Sequence, residues 1–543
     1  MKNSFLTDDL VRENIRALKP YSSARNESKV KNALFLDANE SPFNTGYNRY
    51  PQPVNMELKS AAARMAGFGM DCSNVFAGNG SDEAIDVLVR IFCNPGKDNI
   101  VSISPTYGMY KVVAAINDVE YRECRLGEGF SLDGDALLSL TDRSSKIIFL
   151  CSPNNPTGNL LERSEVMKVV QNFAGIVVID EAYIDFSGDK GYAGVLKVYP
   201  NVVILRTMSK SRGMAGIRVG FAFASSEIIS YMDKVKYPYN LNAVSQELAI
   251  KSLARDKMEN LREIVNERER MFAELGKTEG VKRVFPGKGN FLLAEVGDPA
   301  AMVAFLKSKG VVIRDRSKEP GCEGCVRITV GKRSENDLLL SLLNGGDEQL
   351  FADSVRLSRV TRETTINLAL YPGRSDIRDI RTGIGFFDHM LELFAHHSGL
   401  GMDLCVSGDL EVDGHHTIED TAIVLGEAVA TIYRSRGGYN RYGFVLPMDE
   451  SRAEVLVDLG GRSGFKWDVS FKDNFTGDFP VQMYPHFFES LASAGKFTLH
   501  MNASGSNDHH IAEALFKAFA RAIRIALSND IGEYEMPSSK GLI

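Results

Sequence analysis

Two short stretches in the last third of the chain hold residue types that bind metal ions: Asp413-Gly414-His415-His416-Thr417-Ile418-Glu419 and Asn507-Asp508-His509-His510-Ile511-Ala512-Glu513. On a helix the first histidine and the glutamate of each stretch stand at i and i+4, on one face, where both reach one cation. The second histidine points roughly 100° away, so neighbouring histidines are expected to serve different ions. Imidazole with carboxylate and no thiolate suits manganese, iron, cobalt, nickel or zinc. An octahedral site with room for substrate favours manganese or iron. A lone His-His pair at a helix start reads as solvent-exposed; two such stretches, with His389 and His500 near them in sequence, point to metal.

Each stretch opens an apolar-periodic segment. Ile418, Ala422, Leu425, Val429 and Ile432 follow the first, and Ala512, Phe516, Phe519, Ile523 and Ala526 recur at the same intervals after the second. Each set is one buried stripe of an amphipathic helix, and two matching helices imply an internal duplication. All nine histidines lie at or beyond position 389, so the first two thirds of the chain does its chemistry without imidazole.

In that region three apolar runs, 146–151, 175–179 and 202–205, are followed at once by polar clusters. These are Ser152-Pro153-Asn154-Asn155-Pro156-Thr157-Gly158, Asp180-Glu181-Ala182-Tyr183 and Thr207-Met208-Ser209-Lys210. Apolar strands separated by helix-length segments predict a parallel α/β sheet covered on both faces, with ligand at the carboxyl ends of the strands. Ahead of them Gly78-Asn79-Gly80-Ser81-Asp82-Glu83 leads into a helix whose first N–H groups are free to hold a phosphate. The stretch lacks the Lys-Ser/Thr of a P-loop and the third glycine of a dinucleotide fingerprint. Together the clusters suit pyridoxal phosphate. Lys210 supplies the amine, Asp180 pairs with the pyridinium nitrogen, and the Gly80-Ser81-Asp82 turn with Arg218 binds phosphate. Taken singly, Asp180 reads as a helix cap, Lys210 as a surface charge and Arg327 as a strand-edge ion pair; the ordered set outweighs those readings.

The rest of the chain sets bounds. A length of 543 residues predicts two to four domains. A net charge of −7 offers nucleic acid or an anionic membrane no global reason to bind. The first residues, MKNSFLTDDLVREN, have no apolar core, and no run is long enough to span a bilayer, so a cytoplasmic protein is expected. Seven scattered cysteines argue against a disulfide framework, and Cys322-Glu323-Gly324-Cys325 reads as packing or surface thiols. The pattern breaks at Asn344-Gly345-Gly346-Asp347, which divides the chain into residues 1–345, a linker at 346–356 and a second region at 357–543.

Residues 8 to 343 resemble fold-type I aminotransferases, and within them the histidinol-phosphate aminotransferases. The resemblance rests on Asp37-Ala38-Asn39-Glu40, Arg49-Tyr50-Pro51, Pro105-Thr106-Tyr107-Gly108-Met109-Tyr110, the Asn-Asn-Pro-Thr-Gly run, Asp-Glu-Ala-Tyr, and Ser209-Lys210 with Arg218. It implies a mostly parallel sheet in a large and a small domain, with Lys210 as the Schiff-base lysine and proton shuttle. Asp180 would keep the ring nitrogen protonated, Asn155 and Tyr183 would bond the ring oxygen, and Tyr107 would stack on the ring. Gly80, Ser81, Asp82, Thr207, Ser209 and Arg218 would hold the phosphate, with Tyr50 reaching across from a partner subunit. Arg327, helped by Arg314, would grip the substrate anion, and Tyr21 would cover the site.

Residues 358 to 543 resemble the imidazoleglycerol-phosphate dehydratases. The resemblance is carried by Thr361-Arg362-Glu363-Thr364, the run from Thr382 to Met390, both histidine stretches, Pro447-Met448-Asp449-Glu450, Phe516-Lys517-Ala518 and Pro537-Ser538-Ser539-Lys540-Gly541. It implies a duplicated α/β domain, with two manganese ions per active site. Their ligands would be His389, His415, His416, Glu419, His500, His509, His510 and Glu513. The substrate phosphate would meet Arg441, Arg462, Lys517 and Lys540, and Glu363, Glu419 or Glu513 would move protons. Gly414 departs from the family, in which an Asp often precedes the histidines; His396 and His486 read as structural.

The two resemblances imply a bifunctional enzyme of histidine biosynthesis. Its second region dehydrates imidazole glycerol phosphate to imidazole-acetol phosphate, and its first transaminates that ketone with glutamate to L-histidinol phosphate. They also imply a homo-oligomer, from an aminotransferase dimer to a dehydratase assembly of up to a 24-mer. Two other readings stand beside this one: a sensor on the pyridoxal-phosphate fold fused to a metal-dependent assembly module, and an aminotransferase of aromatic specificity beside an intact dehydratase.

Overall fold

The computed structural model describes residues 7–19, 36–254, 258–346, 354–435, 439–443 and 446–528. The chain divides into two compact units, Met1–Asp347 and Glu348–Ile543. Most of the expected linker lies outside the described residues, and the first strand of the second unit begins at Val355, inside the span assigned to it.

Unit one is built on seven strands: β1 (Val75–Asn79), β2 (Asn99–Ser104), β3 (Glu120–Arg125), β4 (Ser145–Cys151), β5 (Ile176–Asp180), β6 (Val202–Thr207) and β7 (Val219–Phe223). Their spatial order is β1-β7-β6-β5-β4-β2-β3. β7 runs antiparallel to both neighbours and the remaining pairs are parallel. Alternate residues feed cores on opposite faces. Ile148, Leu150, Val177 and Ile179 pack on one side, and Ile147, Phe149, Ile176 and Val178 on the other. Burial on both faces is why these strands read as unbroken apolar runs. After β1 comes helix α1 (Gly80–Phe92), whose cap residue Asn79 makes no side-chain capping bond. A smaller antiparallel sheet has the order β10-β11-β9-β8, from β8 (Val281–Phe285), β9 (Phe291–Val296), β10 (Arg314–Asp315) and β11 (Cys325–Thr329).

Unit two repeats one topology. Its first half runs β12 (Val355–Val360), β13 (Thr364–Pro372), β14 (Arg378–Arg381), α2 (Gly385–Ser398), β15 (Leu400–Gly408) and α3 (His415–Ser435). The second half has β16 (Tyr442–Gly443), β17 (Leu446–Met448), β18 (Ser451–Asp458), β19 (Gly464–Val469), the hairpin strands β20 (Phe475–Thr476) and β21 (Phe479–Pro480), α4 (Met483–Gly495), β22 (Thr498–Ser504) and α5 (Asp508–Leu527). In the first sheet β15 lies between antiparallel β13 and parallel β14. In the second, β22 lies between antiparallel β18 and parallel β19. All ten residues of the two predicted apolar stripes are buried in one core shared by both halves.

The helices pair across the repeat, α2 with α5 and α3 with α4. Gly426 of α3 marks a close approach of the second pair: a Cβ there would lie 2.3 Å from the Leu491 carbonyl oxygen. Gly426→Ala is therefore expected to destabilise unit two by about 2–3 kcal/mol, an overpacking cost set by backbone that cannot yield. Chemical denaturation followed at Trp467, the single tryptophan, measures it; an unchanged midpoint contradicts the close approach.

Candidate functional sites

A cavity of about 430 Å³ opens at the carboxyl ends of β4, β5 and β6, where the continuous strands stop and their polar successors begin. It is lined by Gly80, Ser81, Asp82, Tyr107, Asn155, Asp180, Tyr183, Thr207, Ser209, Lys210, Arg218 and Arg327, twelve residues picked out from the sequence. Asp180 is buried at the end of β5 and accepts hydrogen bonds from Tyr110 Oη at 2.7 Å and the Ala182 N–H at 3.0 Å. Burial raises its pKa against the pull of those donors, so its anion is best stabilised by a cation held against it. Burial also lowers the pKa of Lys210, and the neighbouring Arg327 lowers it further. The Lys210 ammonium stands 5.4 Å from the centroid of the Tyr183 ring.

The same cavity holds a set of groups suited to an anion. Arg218 reaches Asp82 at 3.2 Å and donates to Ser209 Oγ at 3.3 Å, while Tyr107 Oη donates to Asp82 at 3.0 Å. Gly80 has φ +74°, and a Cβ on it would lie 2.6 Å from Arg218 Nη2. The backbone can open a helix beneath the guanidinium only because no side chain is present. An uncapped helix start, an arginine and two hydroxyls fit a phosphate monoester, and Asp180 with Lys210 fits the ring and aldehyde of pyridoxal phosphate.

Other expected residues fall elsewhere. Arg314 lies opposite Arg327 in the β10–β11 ladder but is exposed and outside the cavity lining. Arg316, two residues on and absent from the sequence reading, takes that place. Tyr50 stacks on Tyr239 at 4.5 Å and lines a separate pocket with Asn39 and Arg49. Tyr21 lies outside the described residues.

Lys210 offers a test of sign. Arg327→Gln removes a neighbouring positive charge and is expected to raise the Lys210 pKa, leaving less free amine at neutral pH. The pH profile for capture of pyridoxal phosphate by the apoprotein should move to higher pH; an unmoved or downward profile contradicts the coupling.

Unit two brings together three groups of candidate metal ligands. His389 of α2 meets His509 and Glu513 of α5, and His486 of α4 meets His415 and Glu419 of α3. Glu513 lies 3.2 Å from both His389 and His509 and 2.6 Å from Lys517. Burial opposes its ionisation, but Lys517 and the histidines prevail and hold its pKa at about 2, which suits a ligand better than a proton shuttle. The second histidines turn away as the helical geometry predicts. His416 Nδ1 lies 3.0 Å from Asp409, and His510 Nδ1 lies 2.9 Å from Glu450, within a group completed by Asp449. Their carboxylate bonds raise both pKa values and leave Nε2 as the nitrogen for a ligand bond. Glu363, in the β12–β13 turn, contributes to the field on His416.

The candidate groups differ from the expected ligand set at two histidines. His486, read as structural, closes the group with His415 and Glu419: it lies 3.4 Å from Glu419 and its ring is 4.7 Å from that of His415. Helix pairing joins it to residues about 70 positions away, which no spacing rule reveals. His500 is exposed on β22, where Leu499 and Met501 point inward, and belongs to none of these groups among the described residues. Strand alternation sends it to the other face. Of the expected phosphate contacts, Lys517 pairs with Glu513, Arg441 pairs with Asp458, Arg462 is exposed, and Lys540 lies outside the described residues.

Cavity, strand-end aspartate, lysine and phosphate cradle define the first unit as an aminotransferase of the pyridoxal-phosphate-dependent class, and the second is a histidine-rich α/β domain whose two sheets share one topology. The chain belongs to the aminotransferase class I and II family, whose profile matches residues 29–343, and residues 382–523 match imidazoleglycerol-phosphate dehydratase. A histidinol-phosphate aminotransferase of Parabacteroides distasonis is 49% identical over 337 residues, 62% of this chain and 97% of that protein. The crystal structure of the histidinol-phosphate aminotransferase from Clostridium acetobutylicum superposes with a TM-score of 0.51 at 26% identity, covering 55% of this chain and 90% of that one. An imidazoleglycerol-phosphate dehydratase from Staphylococcus aureus is 34% identical, covering 32% of this chain and 99% of that one, with a TM-score of 0.30. Among the described residues no helix is long and apolar enough to cross a membrane.

Proposed function

We propose that this chain catalyses two consecutive steps of histidine biosynthesis. Unit two dehydrates imidazole glycerol phosphate to imidazole-acetol phosphate, and unit one transaminates that ketone with glutamate to L-histidinol phosphate. The observation that carries this reading is the presence of both families in one chain, since the product of one reaction is the substrate of the other. Sensor and assembly readings leave the lysine, aspartate and anion cradle around one cavity without a purpose.

Pyridoxal phosphate, when bound, supplies an electron sink for the carbanion formed at the amino carbon. The protein's part is positional. Asp180 sets the charge at the ring nitrogen, Arg218, Ser209 and the α1 start hold the phosphate, and Lys210 Nζ moves the proton. Tyr183 and Asn155, which line the same cavity, would hold the ring oxygen, and Arg327 would meet the substrate anion. In unit two we propose manganese on the two histidine-glutamate groups, where it would supply Lewis acidity toward an imidazole ring. His389, His509 and Glu513 would hold one ion and His415, Glu419 and His486 another, with His416 and His510 turned outward to complete sites on other subunits. Glu363, in an exposed turn outside the three ligand groups, is then the candidate to move protons. This arrangement requires a homo-oligomer, and a cytoplasmic setting fits the substrates.

Purified full-length chain supplied with pyridoxal phosphate, Mn²⁺, imidazole glycerol phosphate and glutamate is expected to yield L-histidinol phosphate and 2-oxoglutarate. Turnover of neither substrate would overturn the assignment and favour the sensor and assembly reading.

A further inference from the structure

Unit one must accept two different anions in one cavity, the carboxylate of glutamate and the phosphate ester of the imidazole substrate. The cavity carries two arginines at the same wall, Arg316 and Arg327. Arg327 is oriented by Asn155, to whose side-chain oxygen it donates a hydrogen bond, and it is buried enough to have its pKa lowered, first by desolvation and then by Arg316. Two guanidinium groups close enough to repel each other are costly unless a ligand of matching charge lies between them.

Arg316 is held differently. It follows β10, its backbone N–H bonds the Cys325 carbonyl at 2.9 Å, and its side chain donates to Glu319 through one terminal nitrogen. Its Nε is buried without a hydrogen-bond partner, as is the second carboxylate oxygen of Glu319. A buried guanidinium donor without an acceptor carries an uncompensated desolvation cost, so this arginine of the cavity lining is not fully satisfied by Glu319 alone. Glu319 also neutralises much of the charge that Arg316 adds to the wall, so a monoanion gains little from it. A dianion, with three oxygens to share between two planar forks, gains most.

We propose that Arg316, held by Glu319, is the specificity-determining residue that makes unit one prefer a phosphate-ester substrate over a dicarboxylate, while Arg327 serves both. The proposal rests on the aminotransferase reading above. It assigns Arg316 a binding role and Glu319 a positioning one.

The two substrates react in separate half-reactions, so each can be followed alone by the absorbance of the bound cofactor in the full-length holoenzyme. Arg316→Gln is expected to lower kcat/KM for histidinol phosphate roughly 10- to 100-fold, the effect of one charge-assisted contact, mainly through KM. The loss for glutamate should stay below about threefold. Arg316→Lys should recover part of the loss, and Glu319→Gln should fall between wild type and Arg316→Gln. Calorimetric titration of the holoenzyme with inorganic phosphate gives a readout without turnover, and its affinity should drop in Arg316→Gln. Equal losses for both substrates, or unchanged phosphate affinity, overturn the proposal. Wild-type holoenzyme that turns over glutamate but not histidinol phosphate overturns the functional reading instead, and the phosphate titration then decides the role of Arg316 separately.

Discussion

Lys210→Ala is expected to abolish amino transfer, with a loss of roughly 10³-fold or more, while dehydration proceeds at the wild-type rate. The size follows from what remains. Among the cavity-lining residues Lys210 carries the sole primary amine, and the guanidinium groups there are anion binders rather than proton carriers by their chemistry. General acid–base catalysis alone accounts for about 10² to 10⁴ in rate, and the covalent role of the amine is lost as well. Burial already lowers the Lys210 pKa, which favours a free amine at neutral pH. The intact second activity follows from the cores. Among the described residues the hydrophobic core of unit two is formed by its own residues, from Ile366 to Leu527. Both rates can be read on one preparation, by cofactor absorbance for the first and ketone formation for the second. Amino transfer within tenfold of wild type would sink the assignment of Lys210; loss of dehydration would show that the units depend on each other.

The second large effect separates two histidines that sequence reading ranked in the opposite order. His486→Ala is expected to reduce the content of bound metal and to cut the dehydration rate about 100-fold or more, since disturbing even the partners of metal ligands costs 10- to 100-fold. His500→Ala should leave both within about threefold. The ground is geometric. His486 lies beside Glu419 and His415 on the packed face between α3 and α4, whereas His500 stands on the exposed side of β22. Elemental analysis of gel-filtered protein, with the dehydration rate on the same samples, decides between them. A metal-replete His486→Ala protein alongside a metal-poor His500→Ala protein would reverse the assignment.

The repeated topology bears on a departure noted in the sequence. Asp508 precedes the second histidine pair, and its carboxylate accepts the N–H groups of Lys472 and Asp473 at 2.7 Å, tying down the loop before β20. Gly414 stands at the equivalent place. A Cβ there would lie 3.0 Å from Ile384, so that copy of the repeat is closed by apolar contact. The two halves share the placement of the His-His-x-x-Glu helix and differ in how they brace it.

Local signals made much of the molecule legible. Strands buried on both faces must be apolar throughout, so β4, β5 and β6 and the polar residues that end them could be read directly, and with them Asp180, Lys210 and the phosphate cradle. Helical periodicity likewise settled α3 and α5, the facing of His415 with Glu419 and of His509 with Glu513, and the turning away of His416 and His510. These are consequences of backbone geometry over four residues or fewer, and a linear chain carries them intact. Packing alone decided which distant elements meet. It joined His389 to α5 and His486 to α3, placed His500 on an outer strand face, and put Arg316 in the cavity where Arg314 was expected. Such pairings depend on helix contacts and strand alternation between segments tens of residues apart, and side-chain identity at one position does not record them.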